Sequence, residues 1–251
     1  MRRFMTIAFA TLFSLSTALP VFAESFSGAQ KTEMEKIIHD YLMANPQIMR
    51  DMANKLDEND KAAQANARVA VLKENAKTIF HDGGDAVVGN EKGDVTVVEF
   101  FDYNCHYCKL SIKEMQTLIK SDKNVRVVMK EFPIFGEDSE YAAKAALASV
   151  KQGKYWDFHQ AMFASSVRVT ADVVDKIAGE QGIDVAKMKE DMKDPAILAQ
   201  IAKTQALAQN LQLTGTPGFL IDEKVIPGYV PVAEMASSVE AVRVNGGCKV
   251  C

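Results

Sequence analysis

A Cys-x-x-Cys motif between a strand and a helix is the feature that most constrains this chain. The run VTVVEFFDY at 95–103 is β-branched and aromatic, which predicts a buried strand. The following KLSIKEMQTLIK has apolar residues at helical spacing, and VRVVMKEF at 125–132 predicts a second strand. Strand, helix and strand in this order form a βαβ unit. Cys105 and Cys108 therefore lie where the first strand passes into the helix.

This position favours thiol chemistry at Cys105. Unpaired N–H groups and the helix dipole favour negative charge at the start of a helix, and the thiolate is the reactive form of cysteine. We expect Cys105 to be an exposed nucleophile and Cys108, one turn further along, to be a more buried resolving thiol. Exchange then passes through a mixed disulfide with a second protein. His106, when protonated, would stabilise the thiolate; the alternative is an exposed residue without a role.

The first 23 residues predict export. Residues 1–23 begin with Arg2 and Arg3, continue through an uncharged apolar stretch, and end in VFA, which indicates a signal peptide cut after Ala23. Removing the two arginines leaves 27 of 29 basic residues against 33 acidic ones, a net charge of −6. This charge does not suggest a nucleic-acid partner. A periplasmic location favours disulfide chemistry over zinc binding for the cysteines.

Residues 24–82 predict a helical N-terminal arm. Apolar residues recur at helical spacing from Ala29 to about Phe80, with a new helix starting at Pro46. The apolar stripe must be buried against another surface. That surface is either the chain's own catalytic domain or the same arm of other subunits, and we favour a homo-oligomer.

Downstream of the arm, the pattern predicts an α/β domain with an inserted helical region. HDGGDAVVGNEKGD at 81–94 indicates a linker or domain entry. Residues from about 139 to 213 predict five helices, followed by the strands GFLID and VIPGYV and a last helix. The expected helix starts are Ser139, Thr170, Asp184 and Asp194.

Two further motifs support a resemblance to a known family. Thr216-Pro217 precedes a strand in LTGTPGFLID, and YLMANPQIM at 41–49 lies in the arm. About Gly83 to Arg243 resembles the thioredoxin-fold Dsb family, specifically DsbA-like proteins with a helical insertion, and we assign 83–245 to this domain. The arm motif resembles the ScsC branch of that family, which carries a helical N-terminal extension.

The resemblance implies roles for particular residues. Cys105 and Cys108 match the redox pair, and Pro217 matches the cis-proline, with Thr216 before it. Glu99 lies six residues before Cys105, where DsbA-like proteins have a buried acid. Burial there would raise its pKa and allow proton transfer with Cys108; the alternative is a strand residue at the sheet edge without a role.

The resemblance also implies an enzyme, a protein thiol-disulfide oxidoreductase acting on cysteines of exported client proteins. It needs no cofactor beyond its redox-active disulfide and is reset by a membrane partner of DsbB or DsbD type. The arm, Tyr107 and Thr216 favour a disulfide isomerase or reductase over a primary oxidase. The alternatives are a DsbA-type dithiol oxidase and, in other classes, a copper- or zinc-thiolate binding protein or a chaperone.

The tail at 246–251, GGCKVC, contains a second Cys-x-x-Cys. Neither a strand nor a helix frames Cys248 and Cys251 as they frame the first pair. We interpret the pair first as a local, largely inert disulfide. A flexible dithiol that exchanges with Cys105 or with another subunit comes second, and part of a metal site comes last.

Overall fold

The computed structural model describes residues 26–251, so the predicted signal peptide lies outside the described residues. In that range no helix is long and apolar enough to cross a membrane. The helices are α1 Gly28–Ala44, α2 Gln47–Phe80, α3 His106–Ser121, α4 Glu137–Val150, α5 Tyr155–Ala164, α6 Ala171–Glu180, α7 Val185–Asp191, α8 Pro195–Asn210 and α9 Val232–Val244. The strands are β1 Ala86–Gly89, β2 Val95–Phe101, β3 Val125–Glu131, β4 Gly218–Ile221 and β5 Lys224–Pro227.

The five strands described form one sheet in the order β1-β3-β2-β4-β5. β2 and β3 run parallel and α3 connects them, which confirms the predicted βαβ unit. The other neighbouring strands pair antiparallel. This is the thioredoxin-like α/β fold expected from the sequence. Because β2 is central, its carboxyl end carries the Cys105 loop out of the middle of the sheet.

The two faces of β2 lie in different parts of the core. Val97 and Phe101 pack in the cluster that contains α3 and α9, whereas Val98 and Phe100 pack in the cluster that contains α2 and α8. Successive side chains of a strand point to opposite faces. Glu99, between Phe100 and Val98, therefore points to the side of Val97 and Phe101, where α3 carries Cys108.

The structure confirms the predicted helical insertion, which consists of α4 to α8. The side chains of Asp184 and Asp194 cap α7 and α8 as predicted, whereas Thr170 stands at the N-cap of α6 without a side-chain cap bond. The prediction that Ser139 starts a helix was wrong. α4 begins at Glu137 after Gly136, whose φ of 93° favours glycine, and Ser139 is buried within the first turn.

The linker prediction for 81–94 missed a strand. β1 occupies Ala86–Gly89 and pairs with β3 from Ala86↔Met129 to Gly89↔Arg126. Four residues between glycine- and aspartate-rich turns carry too little alternation to indicate a strand, and the pairing partner lies about 40 residues away in sequence. This edge strand forms only because β3 offers it a ladder of hydrogen bonds.

The chain divides into two compact units, one up to Asp60 and one from Lys61 to Cys251. In the first unit, a capping box at Ser27 and Gln30 starts α1, and α2 begins directly after Pro46. No residue of α1 is buried, and large apolar side chains of this unit are exposed in the single chain. They are Phe26, Ile37, Ile38, Tyr41, Met43, Met49, Met52 and Leu56.

The C-terminal part of α2 belongs to the second unit and ends against β3. Arg126 Nη1 donates to the carbonyl of Phe80 at 2.5 Å, and Lys130 Nζ donates to the carbonyl of Thr78 at 2.6 Å. Lys130 also forms a buried ion pair with Asp85. Cations favour the carbonyl end of a helix because of its dipole. The end of α2 is thus fixed to the sheet that carries the cysteines.

Candidate active site

Cys105 and Cys108 occupy the start of α3, both as free thiols. Cys105 is the N-cap residue and Cys108 lies in the first turn. Their exposed fractions are 4% and 1%, so the prediction of an exposed Cys105 was wrong, although Cys108 is the more buried of the two. The loop before β4 covers Cys105, whose Sγ lies 3.2 Å from the Thr216 carbonyl oxygen.

The bond between Thr216 and Pro217 is cis, which confirms the prediction from the motif. β4 begins at the next residue, Gly218, which pairs with Phe100 near the end of β2. The register of these strands therefore sets the cis-proline loop beside the loop that carries Cys105. The two cysteines and the two residues 216 and 217 thus form one site, from segments more than 100 residues apart.

The pKa of the Cys105 thiol is lowered to about 6, chiefly because the Cys108 thiol donates a hydrogen bond to its sulfur. Burial opposes this shift, while the Thr216 side chain and the main chain of Tyr107 and Cys108 add to it. Thr216 acts in two ways. Its carbonyl accepts from the neutral thiol, whereas its buried hydroxyl, which has no other hydrogen-bond partner in the described chain, can donate to the thiolate.

The pKa values of Cys108 and Glu99 are raised, in contrast to that of Cys105. Burial raises the pKa of Cys108 far above its ordinary range. Burial also raises the pKa of Glu99 to about 8, and the charge of Cys105 adds to that shift. Glu99 is 3% exposed on the central strand, so its alternative as a residue at the sheet edge was wrong. Its carboxyl is coupled electrostatically to both thiols, as a proton-transfer group requires.

The position of His106 says little about its role. Its side chain is exposed, and its ring makes an edge contact with the Tyr107 ring at a centroid distance of 5.5 Å. A protonated imidazole there would add positive charge at the start of α3, next in sequence to Cys105. The role of His106 in stabilising the thiolate stays a prediction.

Sequence reasoning gave Asp102 and Asn104 no role, yet both hold the loop before Cys105. Asp102 is buried, and its carboxylate accepts four hydrogen bonds between 2.7 and 3.1 Å. The Asn104 side chain bonds both to Ser139 and to the backbone of Val169 in the insertion. An Asp two residues before an Asn at a strand end was the available signal, since such residues bond to nearby backbone.

A buried polar cluster lies beside this loop. The hydroxyls of Tyr103 and Tyr155 donate to Glu131 Oε1 at 3.1 and 2.9 Å, and Tyr103 also meets His159 Nδ1 at 2.9 Å. Burial raises the pKa of Glu131 and lowers that of His159 to about 3. His159 is therefore uncharged near neutral pH. The cluster ties the end of β3 and the Cys105 loop to α5 of the insertion.

The terminal Cys248 and Cys251 form a disulfide with each other, as the first interpretation of the tail expected, while its lack of reactivity stays a prediction. The tail is packed rather than flexible: Cys248 contacts one core cluster, and Val250 and Cys251 contact the other. It is anchored at Asp222, just after β4, whereas Thr216 precedes β4. Roughly 13 Å of strand therefore separates the two ends. Within one chain the terminal pair does not meet Cys105.

Two family models match the chain. Residues 96–240, more than half of the chain, match the DSBA-like thioredoxin domain. Residues 30–63 match the copper resistance protein ScsC N-terminal domain. Together the matches cover most of α1, the first half of α2 and the α/β domain from β2 to α9 with its insertion.

Similar proteins agree with these models. A thioredoxin-like oxidoreductase from Silicibacter pomeroyi DSS-3 has 44% identity and a TM-score of 0.66, over 67% of this chain and 97% of that one. Disulfide bond formation protein D from Bacillus subtilis (strain 168) is 26% identical, over 62% of this chain and 76% of its own length. A linker-deletion mutant of Proteus mirabilis ScsC shares the fold, with 20% identity and a TM-score of 0.68 over 89% of this chain and 100% of that one.

Part of the chain is also similar to a region of Na(+)/H(+) antiporters that are much longer than this chain. It is 26% identical to a Na(+)/H(+) antiporter, NhaA 3, from Salinispora tropica, but spans only 24% of that protein's length. The shared region is 157 residues long, which is 62% of this chain. The similarity concerns one domain and carries no transport activity over to this protein.

Proposed function

The chain belongs to the DsbA-like thioredoxin family of thiol-disulfide oxidoreductases, and on that premise we propose that it acts in the periplasm on cysteines of exported proteins. The observation that carries the proposal is the pairing of a low-pKa thiol with a high-pKa one. The pKa of Cys105 is lowered to about 6, while that of Cys108 is raised well above its ordinary value. One sulfur is ready to attack at neutral pH and the other stays protonated until it is needed.

In the reducing direction, the Cys105 thiolate attacks one sulfur of a client disulfide. The S–S bond of the client breaks, its other sulfur leaves as a thiolate and takes up a proton, and a mixed disulfide joins Cys105 to the client. Cys108 then loses its proton and attacks the Cys105 sulfur, which releases the second client thiol and leaves the Cys105–Cys108 disulfide. Glu99 is our candidate to accept that proton in the molecules in which it is ionised, a fraction that grows as the pH approaches its pKa of about 8.

We favour an isomerase or reductase over a primary oxidase because of the arm. In the described single chain, side chains such as Ile37, Tyr41 and Leu56 are about 60% exposed. Exposed apolar side chains of this kind, on α1 and the first half of α2, are typical of helices that bury them against another copy. A homo-oligomer would bring several Cys105 sites to one misfolded client at high effective concentration. Oxidase remains the alternative, since a stable Cys105 thiolate also makes the disulfide more oxidising.

The partners follow from the chemistry. A catalytic cycle in either direction needs clients with cysteines and a membrane protein of DsbB or DsbD type that resets the Cys105–Cys108 pair. We propose no bound cofactor, because the pair itself carries the two electrons. The signal peptide predicted for residues 1–23 supports a periplasmic site of action.

The deciding experiment compares the mature chain from Glu24 with a variant lacking 24–60. Both are assayed for reactivation of scrambled ribonuclease and for oxidation of a reduced dithiol peptide, and light scattering gives the subunit number. We expect the variant to be monomeric and to lose isomerase activity while peptide oxidation survives. Equal isomerase activity in both would contradict the multivalent function, and a monomeric mature chain would remove its basis.

A second candidate, metal-thiolate binding, is supported by one observation. Donor atoms of Asp222, Cys248 and Cys251 lie within 4.8 Å of one another. The two sulfurs form a disulfide here, so binding needs prior reduction by a dithiol. Two thiolates and a carboxylate suit Zn²⁺, while two thiolates alone suit Cu(I).

The metal candidate is tested on the reduced Cys105→Ser/Cys108→Ser variant, which retains only the terminal pair. Competition with a chromogenic chelator for Zn²⁺ or Cu(I) measures binding, and Asp222→Asn is the matched control. Tight Zn²⁺ binding that Asp222→Asn weakens supports the site. Binding that Asp222→Asn leaves unchanged would mean that the two thiols bind metal as an ordinary dithiol, without the carboxylate.

A further inference from the structure

Asp102 is buried where three segments meet, and no charged side chain pairs with it in the described residues. Asn104 N and Ser139 Oγ donate to its Oδ1 at 2.7 and 2.8 Å. Ile134 N and Phe135 N donate to its Oδ2 at 2.8 and 3.1 Å. Four donors on two oxygens match a carboxylate, which only accepts hydrogen bonds. The four bonds join the loop before Cys105 to the loop after β3 and to α4.

The main chain of Asp102 reaches the cysteines directly. Its carbonyl accepts from Cys105 N at 3.1 Å, which closes the turn from which α3 starts. A main-chain hydrogen bond from Asp102 also reaches the Cys108 sulfur and lowers the pKa of that thiol, against the larger effect of burial. The residue that anchors the loop through its side chain thus fixes both cysteines through its backbone.

Asn104 extends the same anchor to the insertion. Its Nδ2 donates to Ser139 Oγ at 3.1 Å and to the Val169 carbonyl at 3.2 Å, while Val169 N donates to its Oδ1 at 2.9 Å. Cys105 follows directly in sequence. The distance from Cys105 Sγ to the Thr216 loop, 3.2 Å, therefore depends on a loop held from the side of the insertion.

We propose that Asp102 is a positioning residue for the proposed thiol-disulfide exchange: its carboxylate, through Asn104 and Ser139, couples the helical insertion to Cys105 and thereby sets the reactivity of that thiol. The proposal rests on the function proposed above. It gives the insertion a second role besides covering the sheet, because α4 and the loop before α6 hold the residues next to the nucleophile.

The test replaces Asp102 by Asn. An amide has one acceptor oxygen, so either the Asn104 and Ser139 donors or the Ile134 and Phe135 donors lose their partner. The loop should shift, the donors around the Cys105 sulfur should be misplaced, and the pKa of Cys105 should rise by about one unit. That is roughly a tenfold loss of thiolate at a pH below the midpoint. Thiolate absorbance at 240 nm against pH measures the midpoint in the folded, reduced protein.

The matched control is Asp85→Asn, which alters a buried and hydrogen-bonded carboxylate that contacts Lys130 and Gln200 rather than the Cys105 loop. We expect it to lower the unfolding temperature while the Cys105 midpoint stays in place. Asp102→Asn with an unchanged midpoint and a similar loss of stability would mean that Asp102 is only structural, and would overturn the proposal.

Two milder variants keep the proposal testable if Asp102→Asn does not fold. Ser139→Ala removes one donor to Asp102, and Asn104→Ala removes the bridge to Val169. Each should shift the Cys105 midpoint in the same direction but by less, and no shift in either contradicts the coupling. Failure of the proposed function looks different, since the wild-type protein would then show the low midpoint yet leave scrambled ribonuclease unchanged.

Discussion

The two Cys-x-x-Cys motifs of this chain have the same spacing and different surroundings. In the first, the N–H groups around the turn belong to the start of α3, and the main chain of Tyr107 and Cys108 bonds to the Cys105 sulfur. In the second, Lys249 N and Val250 N both donate to Asp222 Oδ1, at 2.8 and 2.9 Å. The same kind of donor faces a sulfur in one motif and a carboxylate in the other.

This difference explains why spacing alone does not make a reactive pair. A thiolate needs hydrogen-bond donors that are not otherwise used. α3 supplies them to Cys105 because the first turn of a helix has N–H groups without partners. No helix follows the tail after α9 in the described residues, so no helix start supplies such N–H groups there. The N–H groups of Lys249 and Val250 donate to Asp222 instead of to a sulfur. The acids differ as well, since Glu99 is coupled to the thiols of the first pair while Asp222 anchors the backbone of the second.

The largest expected effect comes from removing Cys105, which tests whether the first motif, and not the terminal pair, supplies the nucleophile. Cys105→Ala should slow disulfide exchange by roughly 1,000-fold or more, because burial raises the pKa of Cys108 and because Cys248 and Cys251 are joined in a disulfide. Reduction of insulin and reactivation of scrambled ribonuclease are suitable assays.

Cys248→Ser/Cys251→Ser is the matched control for that prediction and should retain wild-type rates. A non-reducing peptide map adds an independent check, with 105–108 and 248–251 as the only expected disulfides in the oxidised protein. A cross-link between Cys105 and Cys248 or Cys251 would show exchange between subunits, and the distinction between the two motifs would fail.

The second prediction compares the titration of the two pairs in reduced protein. With only the first pair present, the thiolate should appear with a midpoint near 6. With only the terminal pair present, the midpoint should lie higher, because no helix start of the described chain lies beside those sulfurs. Cys105 has a folded pKa below its unfolded one. Its contribution to the stability of the reduced protein is therefore complete above about pH 8.5 and is lost as the pH falls through 6.

Absorbance at 240 nm on Cys248→Ser/Cys251→Ser and on Cys105→Ser/Cys108→Ser gives the two midpoints directly. His106→Ala in the first variant isolates the imidazole, and a rise of the midpoint would support its predicted role. Coinciding midpoints for the two pairs would show that the helix start and the Cys108 hydrogen bond do not matter.

The third prediction concerns Glu99, whose folded pKa of about 8 lies above its value of 4.5 in the unfolded chain. The folded state holds the proton more tightly, so Glu99 costs stability as the pH rises from about 4.5 to 8. Wild type should lose about 3 kcal/mol of unfolding free energy between pH 5 and pH 8 from this group, and Glu99→Gln should not. Urea unfolding at both pH values measures the loss, with the exposed Glu180→Gln as control.

A pH dependence that Glu99→Gln leaves intact would refute a protonated acid beneath the first pair. Cys108 should also resolve mixed disulfides more slowly in Glu99→Gln, because the nearby proton acceptor is gone. Accumulation of the mixed disulfide with a client peptide, seen on a non-reducing gel, would report that step.

Patterns local to the sequence predicted most of this architecture. β2, α3 and β3 each have a clear period, and the five insertion helices have apolar faces and, at Asp184 and Asp194, cap residues that bond as expected. β1 was missed because four residues form a strand only when β3 is beside them. Ser139 was misjudged for a related reason, since its hydroxyl bonds to Asp102, a residue 37 positions away, instead of starting α4.

The site was predictable in its residues but not in its burial. Cys105, Cys108 and Pro217 follow from motifs, and the cis bond follows from the motif context. The cover over Cys105 could not be predicted, because it depends on the register between β2 and β4 and on the path of the 214–217 loop. Hydrogen bonds to Asp102 and Asn104 likewise join segments that only the folded insertion brings together.

The smallest expected effect is the removal of the terminal disulfide. A bond between residues three apart closes a short loop, so its loss should lower the free energy of unfolding by at most about 1 to 2 kcal/mol. The bonds from Lys249 N and Val250 N to Asp222 remain in Cys248→Ser/Cys251→Ser, so the tail should stay docked. Asp222→Asn weakens those bonds and should release the tail, as faster amide exchange of residues 248–251 would show. If the serine variant instead freed the tail and slowed exchange at Cys105, the second motif would support the first, and spacing would matter more than surroundings.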